Sequence, residues 1–261
     1  MRIRFGYSAD ADDAFMAWGL EEGGVDRRGL DWEFVVSDIQ TLNEWALEGR
    51  LEVTAVSMHA YARVRDRYDL LPHGASMGRG YGPVVVAREP LSRGQLQRSE
   101  IVVPGTLTTA FLVLREYLGG AFAHRELAFD RILDEVASGR AAAGLVIHEG
   151  QLSYPAAGLE KCVDLGEWWT RETGLPLPLG VVCARRDLGP ETVAAVSDAF
   201  RESIEAGLAS RDEALRFASR LGRGLDDETL DRFVAMYVND LSVDMGEEGR
   251  RAVDRLLEVV G

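Results

Sequence analysis

The sequence predicts an α/β fold of two lobes that share a cleft. Strand-like and helix-like stretches alternate along most of the chain, the pattern of parallel strands covered by helices. A polar, turn-rich stretch at 88–99 (Arg-Glu-Pro-Leu-Ser-Arg-Gly-Gln-Leu-Gln-Arg-Ser) breaks that alternation, and a second βα series starts after it. The apolar run 176–184 then reads as a strand returning to the first series. Residues 1–97 and 179–261 are thus expected to form one lobe and 98–178 the other, with 261 residues supplying ample core for both.

Each element has a local reason. Residues 2–7 read as a strand, and 12–21 as a helix whose start is crowded by Asp10, Asp12 and Asp13, where carboxylates oppose the helix dipole favourably. Residues 32–36 are a second strand. Residues 41–48 have helical spacing, with Leu42, Trp45, Ala46 and Leu47 apolar. A strand at 51–56 and a helix at 59–67 follow, and the glycine-rich turn Gly78-Arg-Gly-Tyr-Gly-Pro83 precedes a strand at 84–87. The second lobe opens with a strand at Ile101, then helices at 109–118 and 129–138 and a buried strand at 142–147. From Pro190 onward the chain reads as amphipathic helix, interrupted at 222–225.

Composition removes several function classes. A hydrophobic content of 46% marks a globular chain, and a net charge of −14 argues against nucleic acid or an anionic membrane as partner. No apolar run reaches the length of a bilayer span, and the N-terminal stretch turns polar after a few residues. A cytoplasmic location and a small-molecule partner are therefore expected. Cys162 and Cys183 are too few for a disulfide framework, lack metal-ligand spacing, and read as small buried fillers.

Candidate chemistry centres on His148, which ends the small and apolar run 141–147. Ligands of open α/β sheets collect outside the carboxyl ends of the strands, so His148 either faces a ligand or caps its strand on neighbouring backbone. Three strand-to-helix junctions carry hydroxyls: Tyr7-Ser8, Val56-Ser57, and Pro104-Gly-Thr-Leu-Thr108-Thr109-Ala110. Gly105 permits a tight turn, and the threonine hydroxyls with the free N–H groups of a helix start make an anion seat or an ordinary N-cap. Asp10 to Asp13 lacks the glycine and distant glutamate of a calcium loop and reads as a solvated helix start; no metal site is expected. Gly78-x-Gly-x-Gly82 precedes a strand and so is no dinucleotide fingerprint, and Trp168-Trp169 reads as lobe packing, with an aromatic wall beside a planar substrate as the alternative. The chemistry available is proton transfer by His148 with hydrogen-bond stabilisation of developing negative charge.

Several stretches, in order, carry a family resemblance. They are Thr41-Leu-Asn-Glu-Trp-Ala-Leu-Glu-Gly, Ser57 with Ala60-Tyr61, Gly78 to Pro83, Pro104-Gly with Thr108-Thr-Ala110, and Gly144-Leu-Val-Ile-His148-Glu149. Trp168 to Gly180 and Tyr237-Val-Asn with Gly246-Glu-Glu-Gly249 complete the set. The chain resembles the 1,4-dihydroxy-6-naphthoate synthase family of the futalosine route to menaquinone. The resemblance implies a hinged, two-lobed periplasmic-binding-protein-like fold of type II. It also implies a carbon–carbon lyase that converts cyclic dehypoxanthine futalosine into 1,4-dihydroxy-6-naphthoate without metal or organic cofactor. His148 is then the proton acceptor. The substrate, a small carboxylate, lies against Ala55, Val56 and Ser57 and against Thr109 and Ala110, with Asp13, Asn43 and Tyr154 as further cleft residues.

Departures from the family pattern stand beside the matches. Where the family usually has Ser-Pro-Cys-Pro-Asn-Asp, this chain has Ser8-Ala-Asp-Ala-Asp-Asp13, and Ala55 stands where a lysine is frequent. Leu107 replaces a histidine, and Arg79 is a candidate substitute cation. The sister chorismate dehydratase, or a non-catalytic carboxylate-binding protein on the same fold, are the alternatives.

Overall fold

Two mixed β-sheets, one per lobe, organise the chain in a computed structural model that describes residues 1–221 and 226–260. The interruption expected at 222–225 lies outside the described residues. The first sheet starts with β1 (Arg2–Ser8), β2 (Asp31–Ser37), β3 (Val53–Ser57), β4 (Tyr68–Leu70) and β5 (Ser76–Gly78). The second holds β6 (Val84–Ala87), β7 (Ile101–Val103), β8 (His124–Glu126), β9 (Ala143–Val146) and β10 (Glu160–Asp164). The long β11 (Leu177–Arg185) then returns to the first sheet, whose order is β2-β1-β3-β11-β4, with β5 also paired to β11. The second sheet runs β10-β6-β9-β7-β8.

Neither sheet is purely parallel, as the alternation had suggested. β11 runs antiparallel to β3, β4 and β5, and β6 runs antiparallel to β9 and β10. The strand 84–87, assigned above to the first lobe, sits inside the second sheet, so the boundary expected at 97/98 falls within the second lobe. All four residues of β6 are buried, and it is flanked by strands on both sides. The polar stretch 88–99 is no simple linker either. Ser92 and Gln95 form a capping box that starts a short helix, Arg93–Arg98.

Helices α1 (Ala11–Glu21), α2 (Ile39–Glu48) and α3 (Met58–Val64) follow the first three strands, and α4 is Arg93–Arg98. The second lobe adds α5 (Thr109–Leu118), α6 (Ile132–Ala137), α7 (Gly150–Ser153) and α8 (Leu165–Thr173). After β11 come α9 (Pro190–Ala209), α10 (Arg211–Leu221), α11 (Asp227–Tyr237), α12 (Asp240–Val243) and α13 (Gly246–Val260). An aromatic core of Phe5, Tyr7, Phe15, Trp32 and Phe200 joins the first sheet to α1 and α9. Its centre is Phe5, with the rings of Phe200, Tyr7, Trp32 and Phe34 at 5.2, 5.7, 6.1 and 6.3 Å. The Ser203 hydroxyl donates to the Met16 carbonyl at 2.7 Å and accepts the Leu20 N–H at 2.9 Å, which pins α1 to α9 and aims its N-terminus at the cleft.

The two connections between lobes touch each other. A side chain at Gly166, at the start of α8, would lie 1.9 Å from the Tyr81 carbonyl oxygen of the other connection, so only glycine fits there. Trp169 is buried and donates to the Pro176 carbonyl at 3.2 Å, while Trp168 meets the Tyr117 ring edge-on at 5.6 Å. Both tryptophans are thus packing residues. No described helix is long and apolar enough to cross a membrane.

Candidate active site

The ends of β1 and β3, the head of α5 and the turn after β9 meet between the lobes. They line a cavity of about 610 Å³, its open mouth included. Ser8, Asp12, Asp13, Ser57, Ser76 and Tyr237 face it from the first lobe. Thr108, Thr109, Ala110, His148 and Gln151 face it from the second.

Ser57 owes its position to two neighbours. It ends β3 and pairs with Gly180 of β11, which pairs on its other side with Ser76, so three lining residues form one row. Asn43 lies on the buried face of α2, where a polar side chain must find partners. Its Oδ1 accepts the Ser57 N–H at 2.8 Å, and its Nδ2 donates to the Ser57 hydroxyl at 3.1 Å. Asn43 thus holds Ser57 in place from outside the lining. Ala55 and Val56, expected against the substrate, do not line the cavity: their side chains are buried on opposite faces of β3, in separate cores.

The head of α5 is built for an acceptor. Thr108 is its N-cap and takes the Phe111 N–H at 3.2 Å, so the first N–H groups of the helix, on Thr109 and Ala110, have no intrahelical carbonyl. Both residues line the cavity. Gly105, at φ 153°, makes the preceding turn, and a side chain there would land 2.2 Å from Gln40 Oε1. The Thr109 hydroxyl is not the donor the sequence suggested. It donates to the Leu179 carbonyl at 2.7 Å and accepts the His59 N–H at 3.3 Å, tying α5 to β11 and α3. The groups at this end chemically able to receive an anion are backbone N–H groups.

His148 lies two residues beyond β9 rather than ending it, in a turn where its φ is +53°. That left-handed conformation is uncommon outside glycine and recurs at functional sites. Its ring packs edge-on against Phe129 at 4.7 Å, and Nδ1 accepts the Gly150 N–H at 3.1 Å. Nε2 has no hydrogen-bond partner among the described residues, which leaves it to the cavity. Glu149 beside it is buried, with Oε2 3.4 Å from Nδ1 and Oε1 accepting the Ala11 N–H at 3.2 Å. Burial pushes the Glu149 carboxyl up, but the facing imidazole and the backbone donors outweigh it and hold the group below the ordinary carboxylate range.

Asp12 and Asp13 shift the other way. Burial, then repulsion from Asp10 and Glu149, pushes Asp12 up against the Ser76 hydroxyl bond at 2.6 Å; burial and Asp12 do the same to Asp13, whose carboxylate accepts the Ser8 N–H at 3.0 Å. A carboxyl whose folded pKa lies above its unfolded value near ~3.9 keeps a proton that the unfolded chain has released. The native state is therefore expected to lose stability as pH rises from about 4 through the raised values. Asp12→Asn keeps an acceptor for Ser76 and should raise the melting temperature near pH 8 while changing little near pH 4. Thermal melts across that range check it. An equal response at both ends would place the charged form of Asp12 at no disadvantage.

The remaining expectations separate cleanly. Asp13 lines the cavity, but Tyr154 is half-buried against the second-lobe cluster of Val84, Val86 and Ile132 and does not. Arg79 is no substitute cation, for Asp240 and Glu248 hold it on the surface at 2.8 and 2.7 Å. Among the described lining residues there is no lysine or arginine. Ser76 and Gln151 went unread because they sit in β5 and α7, elements of three and four residues too short to show a period. No described group of histidine, cysteine and carboxylate side chains is arranged to hold a metal ion.

A family pattern described as menaquinone biosynthesis matches residues 3–261. A 1,4-dihydroxy-6-naphthoate synthase of Thermus thermophilus is 47% identical over 254 residues, covering 97% of this chain and 92% of the relative. The chain belongs to the 1,4-dihydroxy-6-naphthoate synthase family of menaquinone biosynthesis. A solved Archaeoglobus fulgidus protein superposes with a TM-score of 0.94 at 44% identity, covering 99% of this chain and 96% of that one. A Candida albicans protein described as having the generic periplasmic-binding-protein fold gives 0.75 at 13% identity, over 100% and 90% of the two chains, and shows the fold alone. Against the synthase family pattern, alanine in place of proline at 11 has a structural counterpart. Proline has no N–H, and in this chain that N–H is the one Glu149 accepts.

Proposed function

We propose that this chain is a cofactor-independent carbon–carbon lyase that converts cyclic dehypoxanthine futalosine into 1,4-dihydroxy-6-naphthoate. The observation that carries the reading is His148 Nε2, without a hydrogen-bond partner among the described residues, in a cavity lined also by the head of α5, where the first N–H groups have no intrahelical carbonyl. The substrate carboxylate seats on the N–H groups of Thr109 and Ala110, and the upward shift of Asp12 and Asp13 lowers the negative charge of the wall that faces it. Nε2 takes a proton from the sugar-derived ring. The pair of electrons left behind forms a new double bond in the sugar-derived part as the bond to the aromatic portion breaks. The electrons of that bond pass into the aromatic portion, which regains a proton, and the sugar-derived fragment leaves as a second product. The forming naphthol ring supplies the driving force. The protein works in the cytoplasm, a reading its two unpaired cysteines support.

Purified protein incubated with cyclic dehypoxanthine futalosine should release 1,4-dihydroxy-6-naphthoate, read by chromatography and mass spectrometry. Turnover of chorismate in its place would assign the chain to the dehydratase reaction. Binding of either compound without turnover would make it a carboxylate-binding protein.

A further inference from the structure

We propose that Glu149 is a positioning residue: it holds His148 in the tautomer that leaves Nε2 able to accept a proton, and the first lobe sets it in place. The inference rests on reading His148 as the base. Nδ1 of His148 stands between two groups with opposite demands. The Gly150 N–H, 3.1 Å away, requires a bare Nδ1, which puts the ring proton on Nε2 and blocks proton acceptance there. Glu149 Oε2, 3.4 Å away, requires the proton on Nδ1, which leaves the Nε2 lone pair to the substrate. Glu149 Oε2 lies within ion-pair distance of Nδ1 without forming a hydrogen bond to it in this structure, and a buried negative charge there favours a proton on the facing nitrogen. It also faces the positive charge that forms on the ring as Nε2 takes its proton. Both side chains are largely removed from water, so that attraction is weakly screened.

The carboxylate is itself held from across the cleft. Ala11, the first residue of α1, belongs to the first lobe, whereas Glu149 follows β9 in the second. The Ala11 N–H bond at 3.2 Å therefore spans the two lobes, and the Tyr237 hydroxyl donating to Gln151 at 2.7 Å is a second bond of the same kind. Without the Ala11 anchor Glu149 is free to leave Nδ1 to the Gly150 N–H, which already donates to it at 3.1 Å.

Two substitutions and two readouts test this. Glu149→Gln keeps an oxygen for the Ala11 N–H but removes the charge. Ala11→Pro removes the donor and keeps the helix, since proline suits the first helical position and Asp10, with ψ 146°, already has the extended backbone required before proline. The first readout is the tautomer of His148 near pH ~9, where imidazoles are neutral, from long-range proton–nitrogen couplings in protein labelled with nitrogen-15 histidine. The His148 signal is assigned by its loss in His148→Asn. The wild type should carry the proton on Nδ1, Glu149→Gln on Nε2, and Ala11→Pro a mixture. The second readout is steady-state turnover. Glu149→Gln should lower kcat at least tenfold and up to roughly 10⁴-fold, the loss seen when an amide leaves a catalytic imidazole in the wrong tautomer, with KM within a few-fold. Ala11→Pro should lower kcat by roughly five- to tenfold, as for one lost hydrogen bond. A wild-type ring protonated on Nε2, or the same tautomer in wild type and Glu149→Gln, overturns the inference. A wild type that fails to turn over cyclic dehypoxanthine futalosine rejects the proposed function instead, and the tautomer readout still decides the role of Glu149.

Discussion

His148→Asn is expected to lower kcat by about a hundred- to ten-thousandfold, the usual contribution of a positioned general base, with KM within a few-fold. Asparagine is the informative choice because His148 sits at φ +53°, and asparagine is among the non-glycine residues that tolerate that conformation best. The turn after β9 therefore survives, Gly150 and Glu149 keep their places, and what is lost is a nitrogen able to take a proton. Binding should persist, because the N–H groups at the head of α5 lie on a different element. Steady-state kinetics with cyclic dehypoxanthine futalosine and calorimetry with 1,4-dihydroxy-6-naphthoate check the two halves. Near wild-type turnover would make His148 a turn residue and move the search for a base to Asp12 or Asp13.

Phe5→Ala should destabilise the protein by about 3–5 kcal/mol, the range for truncating a buried phenylalanine. Phe5 is 1% exposed, and four aromatic rings lie within 6.3 Å of its own. The gap left behind is walled by stiff rings on β1, β2 and α9, which collapse into it poorly. Denaturant midpoints check the size of the loss. Activity of the fraction still folded should remain, since Phe5 lies outside the cavity lining. A loss under 1 kcal/mol would mean the rings close the gap.

What the sequence made legible follows where the physical signal lay. Long periodic stretches such as 109–118 were readable to the residue, because one face of a ten-residue helix must stay apolar. The three hydroxyl-bearing junctions were readable as a set, and the structure places Ser8, Ser57 and Thr109 on one cavity. Strand direction was not readable: β6 and β11 run antiparallel to neighbours, and a buried apolar run looks the same either way round. Nor was the use of a side chain. Thr109 lines the cavity and Ala55 does not: one hydroxyl is spent on Leu179 and one methyl on the core. The partner of Glu149 was hidden for another reason, since Ala11 contributes a backbone N–H 138 positions away and has no side-chain signature at all.

β11 has a consequence for the order in which this protein can be made. The second sheet uses only residues 84–164, a contiguous stretch, whereas the first needs β11 to join β3 to β4 and β5. On a ribosome adding about 5–20 residues per second, the ~120 residues between the end of β3 and the start of β11 take roughly 6–24 s to appear. By the end of that interval the inserted lobe, whose last strand ends at Asp164, has every strand it requires, while β1, β2 and β3 have waited throughout with the buried-to-be edge of β3 open. The half of the enzyme that is translated first is thus the half that finishes last. An open strand edge of this kind is a template for pairing with other chains, so the nascent first lobe is the part of this molecule most in need of shelter.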